Sequence, residues 1–325
     1  MRKALCIGIN YYENNNHLRG CVDDAIEMSN ALEFNYDESR NFQTACLVAY
    51  DKETAISNEE LADRIDWLFE GEPDIALLYF SGHGALVGKE GYLCPSNFCG
   101  KNTGVAMSDI IQAAESSGAK NKIIILDCCH AGAAGSAFFA NQISVLPDDT
   151  VIFAGCSQNG YSQENQYGGI FTNLFIEALM DAGSNILGEV TPGSIYAYID
   201  KSLGAFEQRP VFKANVKNFI CLRKNKAPIS FRDLRKLTEY FENPFDNYPL
   251  DPSYEKEKYE LPEDADKTRN LEHEEIFKVL RKYHSLNLLV PVGEEYMYYA
   301  ALNSKACRLT ALGRHYWSLV YKKII

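Results

Sequence analysis

No stretch of this chain approaches the roughly 18 uninterrupted apolar residues of a membrane span, and a strand pattern begins almost at residue 1, leaving no room for a leader peptide. The expected location is therefore cytoplasmic, with no membrane partner. Ten cysteines in 325 residues are too sparse for a disulfide framework, and most sit within apolar runs as small hydrophobes. No pair of Cys/His clusters has zinc-finger spacing, so no metal centre is expected. Basic residues are scarce as well: the formal charge is −12, and residues 1–225 carry 16 Lys/Arg against 28 Asp/Glu, whereas residues 226–325 carry 16 of each. That imbalance favours basic substrates over nucleic acid or anionic membrane as partners of the larger part. Between Lys122 and Lys201 there is no lysine or arginine at all. Repeats and low-complexity tracts are also missing.

What the chain does have is alternation. Strand-like runs at 3–9, 44–49, 75–80, 122–127 and 150–155 interleave with helix-like stretches at 21–34, 58–70, 107–116 and 171–181. This pattern predicts an α/β/α sandwich around a mostly parallel sheet. A further helix and a strand-like Asn218-Phe219-Ile220-Cys221-Leu222 complete the first region.

Two runs end abruptly on reactive side chains: Leu77-Leu78-Tyr79-Phe80-Ser81-Gly82-His83-Gly84 and Ile123-Ile124-Ile125-Leu126-Asp127-Cys128-Cys129-His130-Ala131-Gly132. Buried parallel strands deliver catalytic groups to the carboxyl edge of a sheet in this way. A thiol and an imidazole on neighbouring strand ends make a Cys-His dyad, in which the imidazole supplies the base that a thiol of pKa near ~8.5 needs at neutral pH.

These boxes resemble those of the caspase-like cysteine peptidases, and within them the metacaspase branch of prokaryotic type. Ala4-Leu5-Cys6-Ile7-Gly8-Ile9-Asn10, Leu18-Arg19-Gly20-Cys21-Val22-Asp23-Asp24-Ala25 and Gly169-Ile170-Phe171-Thr172 look like further landmarks of that family. The resemblance implies a cysteine endopeptidase with His83 as general base, Cys129 as nucleophile, and the backbone N–H groups of Gly84 and Cys129 as oxyanion hole. It also matches four positions, Cys21, Asp24, Ser81 and Asp127, to the primary pocket of family members that cleave after Arg or Lys. Two carboxylates facing one cavity repel each other unless a cation lies between them, and a guanidinium or ammonium group is the natural occupant.

Two expectations about control follow. An enzyme that cuts only after basic residues cannot process itself between 123 and 200, so a single-chain enzyme released by a partner or signal is expected. Calcium dependence is expected to be absent. Asn97 stands where the family often has Asp, Asp109 is the only acid near the next acidic position, and Ala133 to Ala140 holds no acid, whereas calcium takes six to eight oxygens with several carboxylates among them.

Composition changes near 224–229, giving expected domains at 1–225 and 226–325. The second reads as a helix near 230–241, a charged Pro- and Tyr-rich loop at 243–268, a helix near 271–285, strands at 286–292 and 296–302 with Gly293 at their turn, and a final helix near 310–323. That order resembles a winged helix. Its zero net charge argues against DNA and for docking of an activating protein or small-molecule signal. By analogy with such fusions, the chain reads as a regulated effector of antiviral defence or cell death acting on proteins with exposed Arg/Lys sites. The alternatives are an inactive caspase-like scaffold and a DNA-binding regulator.

Overall fold

Continuous apolar, β-branched runs have no polar face to show solvent, so they form strands covered on both sides. Arg2–Ile9 (β1), Ile75–Gly82 (β3) and Lys122–Cys128 (β7) are buried almost end to end. With Gln43–Ala49 (β2), Thr150–Ala154 (β8) and Val211–Asn215 (β10) they build a six-stranded sheet ordered β10-β8-β7-β3-β1-β2. Every pairing is parallel except that of β10 with β8 at one edge. The computed structural model describes residues 1–14, 16–88, 90–99, 104–128, 146–155, 169–204, 209–257 and 270–325.

Odd and even positions along the strands feed two separate cores. One face packs against Asn58–Phe69 (α2) and Met107–Ser116 (α3), burying Ile7, Leu78, Phe80, Leu126 and Cys128. The other packs against Cys21–Glu33 (α1), Ile170–Glu177 (α4) and Pro192–Ser202 (α5), burying Cys6, Tyr79, Ile125 and Phe153. This is the expected α/β/α sandwich. Helix α1 lies hard against β1 because residue 8 is glycine; a Cβ there would sit 2.2 Å from the Cys21 carbonyl oxygen.

After β3 the chain forms a small antiparallel sheet from Gly84–Val87 (β4), Glu90–Leu93 (β5) and Val105–Ala106 (β6). Helix α4 runs into a π-helical turn at Ala178–Ala182, where a single helix was expected. The Asn225 amide holds that turn by donating to the Leu179 carbonyl and Ser184 Oγ, both at 2.9 Å. The strand expected at 218–222 is not one. Ile220 and Leu222 are buried as the pattern demands, but the pairing falls on β10 before them and on Arg223–Lys224 (β11), which pairs with Glu189–Val190 (β9).

The chain divides into two compact units, Met1–Lys226 and Ala227–Ile325. The second contains short helices Phe231–Arg235 (α6) and Leu237–Tyr240 (α7) where one helix was expected, then Leu271–Ser285 (α8) and Ala311–Tyr321 (α10). Its antiparallel sheet is ordered Asn247–Pro249 (β12), Ala306–Leu309 (β14), Leu289–Val292 (β13). The run at 296–302 is helical as Met297–Leu302 (α9), with Met297, Ala300 and Ala301 buried at helical spacing. Gly293 therefore does not close a hairpin between adjacent strands; the partner of β13 is β14, beyond α9. The segment expected as a loop at 243–268 contributes β12, and its residues 258–268 lie outside those described. Among the described residues no helix is long and apolar enough to cross a membrane.

Candidate active site

The order of the sheet reverses at β1: the chain leaves it for β2 on one side and returns to β3 on the other. Ligand sites of open α/β sheets lie in the crevice at the carboxyl ends of strands beside such a reversal. Gly8 of β1 is level with Ser81 of β3, and Ser81 with Asp127 of β7. The expected pocket residues Ser81 and Asp127 are thus cross-strand neighbours on the face covered by α1 and α4.

His83 follows directly on β3 and is buried. Its Nε2 lies 2.7 Å from the Asn16 carbonyl oxygen. A carbonyl only accepts, so Nε2 carries the hydrogen and Nδ1 is the basic nitrogen of the neutral ring. The Tyr12 ring packs on the imidazole at 4.5 Å, and the Tyr12 hydroxyl accepts the His83 backbone N–H at 2.7 Å. A Cβ on residue 82 would stand 2.7 Å from that hydroxyl, so Gly82 is what admits it. Gly84 opens β4 opposite Leu93. Cys129, the expected nucleophile and second oxyanion donor, lies outside the described residues.

Cys128 is described, and it is a different kind of thiol. It ends β7 on the α2/α3 side, and burial followed by the charge of Asp127 pushes its pKa well above the ordinary range. A thiol kept neutral in this way is a poor nucleophile.

The acidic positions come together. Asp24 stands one turn after Cys21 on α1, so both side chains share a face. Ser81 Oγ donates to Asp24 Oδ2 at 3.4 Å, and the Gly169 N–H donates to the same carboxylate. Asp127 Oδ2 accepts the Thr172 hydroxyl at 2.7 Å. A Cβ built on Gly169 would lie 2.7 Å from Asp127 Oδ2 and 3.7 Å from Asp24 Oδ2, so both carboxylates border the same point. Both are more than nine-tenths buried. Burial, then the charge of Asp127, lifts Asp24 from 3.8 to about 7. The two carboxylates are thus held side by side out of bulk water, a placement that raises the cost of ionising both.

Four supporting residues carried no obvious sequence signal. Tyr12 and Asn16 lie in a polar loop, Tyr79 looks like one more core aromatic, and Thr172 reads as an ordinary first-turn residue. Only the Gly169-Ile170-Phe171-Thr172 landmark before a helix pointed toward one of them. Among the described residues no group of three His, Cys, Asp or Glu is placed to hold a metal ion.

The comparisons with known proteins concern this same region. The family model of the caspase domain matches residues 1–220. Metacaspase-1 of Schizosaccharomyces pombe is 35% identical over 86 residues, 26% of this chain and 20% of that protein. Metacaspase-1 of Eremothecium gossypii is 30% identical over 147 residues, 41% of this chain and 32% of that protein. The chain therefore spans a fifth to a third of the length of these curated relatives. The crystal structure of caspase-1 from Spodoptera frugiperda superposes with a TM-score of 0.49 at 14% identity, covering 69% of this chain and 90% of that one. On the match over residues 1–220, this chain belongs to the caspase domain family.

Proposed function

We propose that the chain is a cysteine endopeptidase that cleaves proteins after arginine or lysine. The observation that carries this reading is the buried Asp24–Asp127 pair, bordering one point beside Ser81 at the strand ends that also present His83. In the proposed mechanism the side chain before the scissile bond enters between the carboxylates, which places its carbonyl carbon next to Cys129. His83 Nδ1 takes the thiol proton, and the thiolate adds to the carbonyl carbon. The resulting oxyanion is held by the N–H groups of Gly84 and Cys129, donors worth about 2.7–4 kcal/mol each where measured in other proteases. The imidazolium returns its proton to the leaving amine, and water then hydrolyses the thioester with His83 again as base.

The reading includes control by a trigger rather than by self-processing, because no basic residue lies between Lys122 and Lys201. It also includes calcium independence. The second unit is the proposed receiver of the trigger. A cavity of about 410 Å³ there is lined by Phe245, Val290, Arg308, Thr310 and Arg314 among others, with no acid among the described residues of its wall. That lining suits an anionic signal better than a cationic one.

The test is hydrolysis of paired fluorogenic peptides, identical except for Arg or Asp before the scissile bond, by the wild type and by Cys129→Ala. Arg-selective cleavage that disappears in the variant supports the reading. Asp-selective cleavage, or cleavage that survives the substitution, refutes it.

A further inference from the structure

Asp127 sits beneath the start of α4, and that start is shaped around it. The Thr172 hydroxyl lies 2.7 Å from Asp127 Oδ2 and 2.7 Å from the Tyr79 hydroxyl. All three side chains are buried, Tyr79 and Thr172 completely. The direction of this chain of hydrogen bonds is settled by chemistry. An ionised carboxylate only accepts, so Thr172 gives its hydrogen to Asp127 and must accept from Tyr79. Tyr79 retains its hydrogen to give, since burial, then the charges of Asp127 and Asp24, drive its pKa well above the ordinary phenol range.

A carboxylate facing a like charge relieves the repulsion by turning away, because its terminal torsion is broad and soft. Here that rotation would break the bond to Thr172. Nor does residue 169 crowd it, as any side chain there would meet Asp127 Oδ2 at 2.7 Å.

We infer that Thr172 and Tyr79 are positioning residues for selectivity, a two-hydroxyl relay that locks the Asp127 carboxylate in the plane an incoming guanidinium requires. The inference rests on the reading of Asp24 and Asp127 as the pocket for a basic side chain. Arginine depends on such a lock more than lysine does, because a planar fork needs a fixed carboxylate plane and a point charge does not. The relay therefore sets the preference for arginine over lysine, beyond the shared preference for a cation.

Thr172→Val removes the hydroxyl and keeps the shape; Thr172→Ser restores the hydroxyl; Tyr79→Phe removes only the far donor. Each is assayed in the full chain with peptides carrying Arg or Lys before the scissile bond, with kcat and KM separated. For Thr172→Val the expected result is a KM for the Arg peptide raised about tenfold, a change of threefold or less for the Lys peptide, and kcat within threefold of wild type. Thr172→Ser is expected to stay near wild type, and Tyr79→Phe to fall between the two. A merely structural role would lower active fraction and kcat for both peptides alike, without moving their ratio. An unchanged Arg-to-Lys ratio in Thr172→Val overturns the inference; should that variant fail to fold, an unchanged ratio in Tyr79→Phe does so. Asp127→Asn separates the two levels of argument. If it loses Arg cleavage while the relay variants keep the wild-type ratio, the pocket stands and the relay falls. If it leaves Arg cleavage intact, the pocket falls and the relay with it.

Discussion

Replacing Asp24 by asparagine should make the protein more stable and less active at once. The carboxyl is held at about 7 rather than 3.8, chiefly by burial and then by Asp127, with Glu27 adding to the repulsion. At about 1.4 kcal/mol per pKa unit, ionising it in the empty pocket costs about 4 kcal/mol above pH 8. The sign follows from proton counts. Between about pH 4 and pH 7 the native state keeps a proton that the unfolded chain has lost, so stability falls as pH rises through that window and stays low above it. Asp24→Asn has no such fall. It weakens the bonds from the Gly169 N–H and Ser81 Oγ, at about 1 kcal/mol each, leaving a net gain of about 2 kcal/mol at pH 8.5. For a unit of 226 residues that is roughly 4–8 °C in melting temperature, at about 2–4 °C per kcal/mol. The assay is thermal melting of wild type and variant at pH 5 and pH 8.5, where titrating groups that do not interact with Asp24 cancel in the comparison. The gap in favour of the variant should widen by about 2–3 kcal/mol from the lower to the higher pH. A gap that does not change with pH would refute the claim that Asp24 is strained by burial against Asp127.

The same carboxyl predicts how substrate binding depends on pH. A cation requires Asp24 ionised, so KM for an Arg peptide should fall about tenfold between pH 6 and pH 8, a dependence that Asp24→Asn abolishes; a KM flat over that range in wild type contradicts it. Gly169→Ala would force Asp127 off the Thr172 hydroxyl, its Cβ meeting Oδ2 at 2.7 Å. Arg-peptide KM should rise at least tenfold while the melting temperature moves by only a few degrees, and steady-state kinetics with a parallel melt checks both. Gly8→Ala drives a methyl to 2.2 Å from the Cys21 carbonyl oxygen and 2.8 Å from Ala25 Cβ, so the first unit should lose about 3 kcal/mol or more, read by denaturant unfolding. Chelation of calcium should leave the Arg-peptide rate unchanged, and recovery of activity by calcium alone after chelation would show the opposite.

Strands that are buried on both faces were the easiest features to read. Ile123 to Leu126 and Ile75 to Phe80 are apolar runs of strand length between turn signals, and both were found as strands. Two of the failures share one cause, a short apolar run whose partner decides its form. Met297-Tyr298-Tyr299-Ala300-Ala301-Leu302 reads equally as strand or helix by local composition. It is a helix because Met297, Ala300 and Ala301 turn inward together. Asn218 to Leu222 has the hydrophobicity of a strand, but the pairing falls on β10 before it and on β11 after it. Ile220 and Leu222 are buried without it.

The candidate site was legible to the extent that each residue declared its own chemistry. His83 and Asp127 are conspicuous because an imidazole and a carboxylate at the ends of apolar strands need a reason to be there, whereas Asp24, in the first turn of a helix, was singled out by the family resemblance alone. Their supports are not, because a hydroxyl or a glycine acquires meaning only from what it faces. Nothing in Gly169 or Thr172 reveals that one would collide with Asp127 if it carried a side chain and that the other donates to the same oxygen. The two sit in one helical turn, and the carboxylates they serve come from a helix and a strand more than forty residues away in sequence. Like charges in a buried site persist only when the surrounding fold opposes their separation. Here the opposition comes from the start of α4, so the helix that follows residue 169 belongs to the proposed pocket as much as the acids do. An acidic pair elsewhere in a sequence, without such a helix start over it, is not grounds for the same reading.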